Sequence, residues 1–269
     1  MQTGSTQSLA AVLAAVEEAL ASGAEPGPLG TELFGLVATL DAEPALRRAL
    51  TEPAVPPEAK AALVNSLLQD RISAAALDVV TAAVSRRWSR ARDLSDSLEQ
   101  AAVTSVVAQA ERDGDASELE DELFRFDRII AAQPALRDAL SDPAADLEGK
   151  QQLITDLVHG KVSEPTEQLL LQAVVGRQRT IAAVLSYYQD VAAARRKRVV
   201  ATAWVASSLS EEQTERLEAA LGREYGSEVH LNVIVEPSVL GGVRVAIGDE
   251  VIDSTVSTRL AHASRRMVS

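Results

Sequence analysis

The stretch PALRRALTEPA, residues 44–54, returns as PALRDALSDPA, residues 134–144. Eight of the 11 positions are identical, and two more exchange Thr for Ser and Glu for Asp. The offset of 90 (134 − 44) continues without a gap on both sides. Glu32, Leu33 and Phe34 match Glu122, Leu123 and Phe124. Glu58 and Lys60 match Glu148 and Lys150, Leu63 and Leu67 match Leu153 and Leu157, and Ser73 matches Ser163. A register held over about 40 residues reads as a tandem duplication of one helical unit. Two copies are too few for a solenoid, so the expected architecture is mostly α, with two fused helical bundles.

Each copy resolves into helices by its apolar period. Leu9, Val12, Leu13, Val16 and Leu20 form the stripe of a first helix ending near Gly23. A linker rich in Pro and Gly leads to Gly30, and a second helix is expected over Thr31 to Leu40. Pro44 to Leu50 is a short third helix. Pro56 and Pro57 open a fourth, and a fifth runs from about Ser73 to Arg87. Between Trp88 and Asp113 there is neither Gly nor Pro. This segment is the last helix of copy one and the first of copy two. As one helix of ~24 residues it is ~36 Å long, and the two bundles share it. Gly114 ends it. Copy two continues with a helix carrying Leu119, Leu123, Phe126 and Ile130, then the Pro134 helix, Leu147 to Val158, Ser163 to Val175 and Thr180 to about Arg196.

After Arg198 the period changes from 3.6 to 2. Val199 to Ala206 alternates as a strand. Ser210 and Gln213 make a capping box for a helix carrying Leu217, Leu221 and Tyr225. Val229, Leu231, Val233 and Val235 mark a second strand, and Val243, Val245 and Ile247 a third. Gly248-Asp249 is a turn pair, after which Val251 and Ile252 resume the apolar run as a short strand. A last helix follows, with Val256, Leu260 and Met267 inward. The order reads β-α-β-β-α, a small C-terminal α/β domain with a right-handed crossover expected for its β-α-β part. The expected domains are residues 1–95, 96–197 and 198–269.

Composition bounds the function classes. The net charge of −13 argues against a nucleic-acid binder. With 3% aromatics in a 46% apolar chain, the core must be Leu, Val and Ala. There is no Cys, so disulfides and thiolate metal sites are excluded. The first basic residue is Arg47, which predicts neither a secretory signal nor a transit peptide. No run approaches the ~20 apolar residues a spanning helix needs.

Gly241, Gly242, Gly248, Asp249, Asp253, Arg259 and Leu260, in that order and spacing at the C-terminus, resemble the signature of the F-type ATP synthase delta subunit, the oligomycin-sensitivity-conferring protein family. One departure is that Ser254 directly follows Asp253, where the family usually has Ser one place later. From about Asp96 onward the chain is similar to the family plan of one six-helix bundle and a C-terminal α/β domain. The additional bundle in front resembles the long form found in actinobacteria. The resemblance implies a non-catalytic stator subunit of a proton-translocating ATP synthase. It implies contacts with alpha-subunit N-terminal helices and with the C-terminal end of the membrane-anchored b subunit, and one copy per complex. It implies a peripheral position at the cytoplasmic face of the bacterial membrane, attached only through b. In the family, the first and fifth helices of the bundle beside the C-terminal domain bind the alpha helix. The matching helices here carry Val103, Val106 and Val107, and Leu169, Leu170 and Val174. Val12, Val16, Val79, Val80 and Val84 are their copy-one equivalents.

Reactive constellations are not visible. There is no G-x-x-x-x-G-K-[ST] loop, no G-x-G-x-x-G and no G-x-S-x-G elbow. His159, His230 and His262 have no ligand spacing, so no metal and no cofactor is expected. Asp249, Glu250 and Asp253 lack the order of a Ca²⁺ loop. Arg195 to Arg198 is a basic cluster best read as cations at a helix C-terminus. The competing reading is a free-standing helical scaffold, and a third is an enzyme built on the C-terminal domain.

Overall fold

The computed structural model describes residues 3–142, 144–175, 180–196, 198–225, 228–236, 239, 243–247 and 250–253. The chain divides into two compact units, Met1–Ala193 and Ala194–Ser269.

The first unit is helical. It comprises α1 (Thr3–Ala21), α2 (Pro26–Ala42), α3 (Pro44–Thr51), α4 (Pro57–Leu68), α5 (Ala74–Val84), α6 (Ala91–Asp113), α7 (Ala116–Ala132), α8 (Pro134–Ser141), α9 (Leu147–Val158), α10 (Glu164–Ala173) and α11 (Ile181–Arg196). Prolines open α2, α3, α4 and α8 at positions where the missing N–H costs nothing.

The expected continuous helix is α6, 23 residues long. It starts at Ala91 rather than Trp88, because residues 88–90 are held otherwise. Trp88 Nε1 donates to the Ala83 carbonyl at 2.9 Å, and the Ser89 N–H donates to Ser5 Oγ at 3.0 Å. Gly114 closes the helix in the left-handed region (φ 86°), with the Asp115 N–H donating to the Ala110 carbonyl.

Helix α6 is buried nearly all round, and its small residues permit this. Ala101, Ala102, Val103, Thr104, Ser105 and Val106 are consecutive and all buried. Two of the buried hydroxyls are satisfied within the helix: Ser97 Oγ donates to the Leu94 carbonyl and Ser105 Oγ to that of Ala101, while buried Ser95 Oγ has no hydrogen-bond partner among the described residues. Around α6, one apolar core runs from Val12 and Leu33 through Leu98 to Ile154, Leu169 and Tyr188.

One cap recurs at the 90-residue offset. The Glu122 carboxylate accepts from the Ser163 N–H at 3.1 Å and from Ser163 Oγ at 2.8 Å. The Glu32 carboxylate accepts from the Ser73 N–H at 3.0 Å and from Ser73 Oγ. In each case an acid orders the start of the third helix after its own, α2 for α5 and α7 for α10.

The second unit contains β1 (Arg198–Val205), α12 (Glu211–Tyr225), β2 (Glu228–Val235), β3 (Val243–Ile247) and β4 (Glu250–Asp253). The sheet order is β2-β1-β3-β4. Strands β1 and β2 are parallel with α12 between them in sequence, while β3 is antiparallel to both β1 and β4. The capping box forms as expected: Gln213 Oε1 accepts from the Ser210 N–H at 2.9 Å, and Ser210 Oγ from the Gln213 N–H at 3.3 Å. Ala201, Ala203, Val229, Leu231 and Val245 pack with Leu217 and Leu221 of α12. The sheet has four strands, one more than the order β-α-β-β-α counts, and β4 is the short strand expected after Gly248-Asp249. It exists because Val251 and Ile252 pair with Ala246 and Val245 as the second arm of a hairpin. The final expected helix lies outside the described residues.

Candidate functional site

The six residues expected to line a groove between α6 and α10 are all buried. Val103, Val106, Leu169 and Leu170 have no exposed surface, and Val107 and Val174 have almost none. They meet in the core, and α2 of the same chain lies across their outer side. The Gly27 N–H donates to Gln109 Oε1 at 3.2 Å. Gln168 Nε2 on α10 donates to Thr31 Oγ1 at 2.9 Å. Between these two ties, Gly30 sits so close to α6 that a Cβ there would fall 2.7 Å from Val106 Cγ2 and 3.1 Å from the Ala102 carbonyl oxygen. The α6–α10 seam is therefore a packed interface, not an open groove. Beyond Phe34 it widens into a cavity of about 480 Å³ bordered by Val37, Arg47, Arg92, Gln172 and Tyr188.

Sequence reasoning missed Gly30, placing it at the end of a linker. The helix starts four residues earlier, at Pro26. The signal was there in weak form: glycine in front of an apolar stripe marks either a loop or a close helix crossing.

The copy-one counterparts Val12, Val16, Val79, Val80 and Val84 are buried too. Here α1 packs on α5 and α6. A polar cluster holds the start of α1 to α6. Asp93, fully buried, accepts from Ser5 Oγ at 2.7 Å and from Arg90 Nη2 at 2.8 Å. Burial pushes the Asp93 carboxyl up, but the hydrogen bonds from Ser5 and Arg90 outweigh it and leave the group below its ordinary range. Lys60 is displaced in the same direction, but toward its neutral form: burial holds its ammonium below the usual lysine range, against the pull of Glu52.

The remaining candidates separate. His159 is exposed, 3.4 Å from Glu167. The His230 side chain and His262 lie outside the described residues, and no three potential metal ligands cluster among the described ones. Of the C-terminal signature, Asp253 closes β4 opposite Arg244. Gly241, Gly242, Gly248, Asp249, Arg259 and Leu260 lie outside the described residues. Arg195 and Arg196 fall in the last turn of α11, the position expected of charges that complement a helix C-terminus. On the sheet, the Arg244 guanidinium lies 4.8 Å from the Trp204 ring centroid and 3.5 Å from a Glu236 oxygen. These arrangements hold shape and offer surfaces. No described helix is long and apolar enough to cross a membrane.

Comparison with known proteins bears on what those surfaces serve. Residues 102–267 match the family model described as ATP synthase delta (OSCP) subunit. The ATP synthase subunit delta of Thermobifida fusca is 45% identical over 268 residues, covering 99% of both chains. That of Kineococcus radiotolerans is 44% identical over 96% of this chain and 95% of its own. That of Acidothermus cellulolyticus is 42% identical, with both chains covered in full. The family model begins within α6, whereas these relatives also match the helices before it.

Proposed function

Because this chain belongs to the ATP synthase delta (OSCP) subunit family, we propose that it works as a non-catalytic stator of F-type ATP synthase, in the peripheral stalk that keeps the catalytic head from turning with the rotor. The observation that carries this reading is the full-length match to subunits of that name, at 45% identity over 99% of the chain. The fold suits the task. A brace under torque needs stiffness, and one core organised round a single buried helix resists bending at the joint between its two helical blocks.

In this reading the chain is a tandem duplication: residues 1–95 are the added block, 96–197 the block common to the family, and 198–269 the C-terminal domain. The helical blocks hold alpha-subunit N-terminal helices, and the C-terminal domain holds the end of b. The complex lies at the cytoplasmic face of the membrane, and this chain reaches the membrane only through b. Two modest contacts on one body give high avidity. Of the two equivalent seams, α6–α10 already carries α2. We therefore assign the alpha helix to the exposed outer face of α1, beside the buried seam of Val12, Val16, Val79, Val80 and Val84.

The test is reconstitution. Membranes stripped of this chain should lose ATP-driven proton pumping while the head keeps hydrolysing ATP, and adding the chain back should restore pumping. Pumping that is normal without the chain would remove the stator role. A copy-one variant such as Ala10→Trp, at an exposed position on the outer side of α1, should weaken binding of an alpha N-terminal peptide; unchanged binding would move that helix elsewhere.

A further inference from the structure

The cleft between α7 and α9 has the chemistry of a docking site. It is an opening of about 220 Å³, bordered by Arg125, Phe126, Ile129, Leu157, Lys161 and Val162. Its apolar floor is accessible: Ile129 is 46% exposed and Leu157 37%. Exposed Ile and Leu side by side leave apolar area in water, which burial against a partner would remove. Arg125 and Lys161 flank this floor, and neither forms an ion pair among the described residues. Arg125 Nε donates to the Asp121 carbonyl, and Lys161 Nζ to that of Leu157. The acid that lines the cleft, Glu122, is committed to Ser163. Within a chain of net charge −13, this is an apolar strip edged by two cations.

The duplication supplies an internal control. At the 90-residue offset, Leu157 corresponds to Leu67 and Lys161 to Arg71, but Arg125 corresponds to Gly35 and Ile129 to Thr39. Copy one builds the same helices with a glycine and a threonine there. The packing of the bundle therefore does not require Arg125 or Ile129, and copy two has the cation and the apolar side chain that make the cleft adhesive.

We propose that the α7–α9 cleft receives an amphipathic helix of another subunit, its apolar stripe on Ile129 and Leu157 and its Asp or Glu side chains against Arg125 and Lys161. This deepens the stator reading and rests on it only for the complex in which the partner is found.

The experiment places a photo-crosslinking amino acid at position 129 of the full chain, within the purified complex, and identifies the linked segment by mass spectrometry. The expected product joins position 129 to a segment of another subunit with apolar residues at helical spacing and a net negative charge. Arg125→Glu combined with Lys161→Glu should cut the yield roughly tenfold, with thermal unfolding of the chain unchanged, and the same probe at Thr39 should give no such product. No product in an assembled complex, a product with a neutral or basic segment, or one with a second copy of this chain overturns the proposal and leaves the stator reading standing. If the unmodified chain does not enter the complex at all, both fall.

Discussion

Phe34 and Phe124 occupy the same position in the two copies, yet Phe34 is 5% exposed and Phe124 56%. The difference is what lies outside. Phe34 sits on α2, which packs against the next copy; Phe124 sits on α7, which has no third copy to meet. The neighbouring positions have followed: Val37 and Ala38 on α2 correspond to Asp127 and Arg128 on α7. Also at this scale, Asp93 makes stability depend on pH. Its carboxyl is held below the ordinary value of about 3.9. Its contribution is fully present above that value and is lost as the pH falls through the depressed one. Asp93→Asn should therefore flatten the decline in urea midpoint between about pH 5 and pH 2 while lowering the midpoint at pH 7. A decline as steep as that of the unmodified chain would assign the acid sensitivity to other groups.

Among the elements, α2 shows most clearly how packing overrides local preference. Its first five residues include two Pro and two Gly, a composition that reads as loop. They are helical because the prolines fall in the first turn, the Gly27 N–H finds Gln109, and Gly30 lets the helix axis approach α6. Gly30→Leu sets a side chain against Val106 and the Ala102 backbone. It should destabilise the helical unit by about 1–3 kcal/mol, despite a helix propensity better than that of glycine. Pairing it with Val106→Ala should recover part of the loss. A higher urea midpoint for Gly30→Leu alone would mean that α2 does not cross α6 there.

For the molecule as a whole, the division at Ala193–Ala194 is the main organising fact. The helical unit holds together round α6, and the α/β unit has its own small core of Ala201, Ala203, Val229, Leu231 and Val245. Residues 1–193 expressed alone should unfold in one cooperative transition, because both helical blocks draw on the same core. Two separate transitions in a calorimetric scan of that fragment would show that the blocks are independent. Residues 1–90 alone should fail to fold, since they lack the helix they pack round.

The sequence by itself determined the helices of the first unit, the long helix that ends at Gly114, the strand-rich C-terminal unit and the family. Those features are local or repeated, and they show as periods of 3.6 and 2, a capping box at Ser210 and Gln213, and a 90-residue register. Tertiary structure alone decided which faces are open. Val103 and Val106 carry the same apolar signal whether they line a groove or lie under another helix, because periodicity marks a face as apolar without naming what covers it. Here α2 covers them, brought there by a glycine that reads as a linker. The cleft of Ile129 and Leu157 is likewise spelled in ordinary helix residues, and its accessibility comes from the lack of a covering element among the described residues of the helical unit.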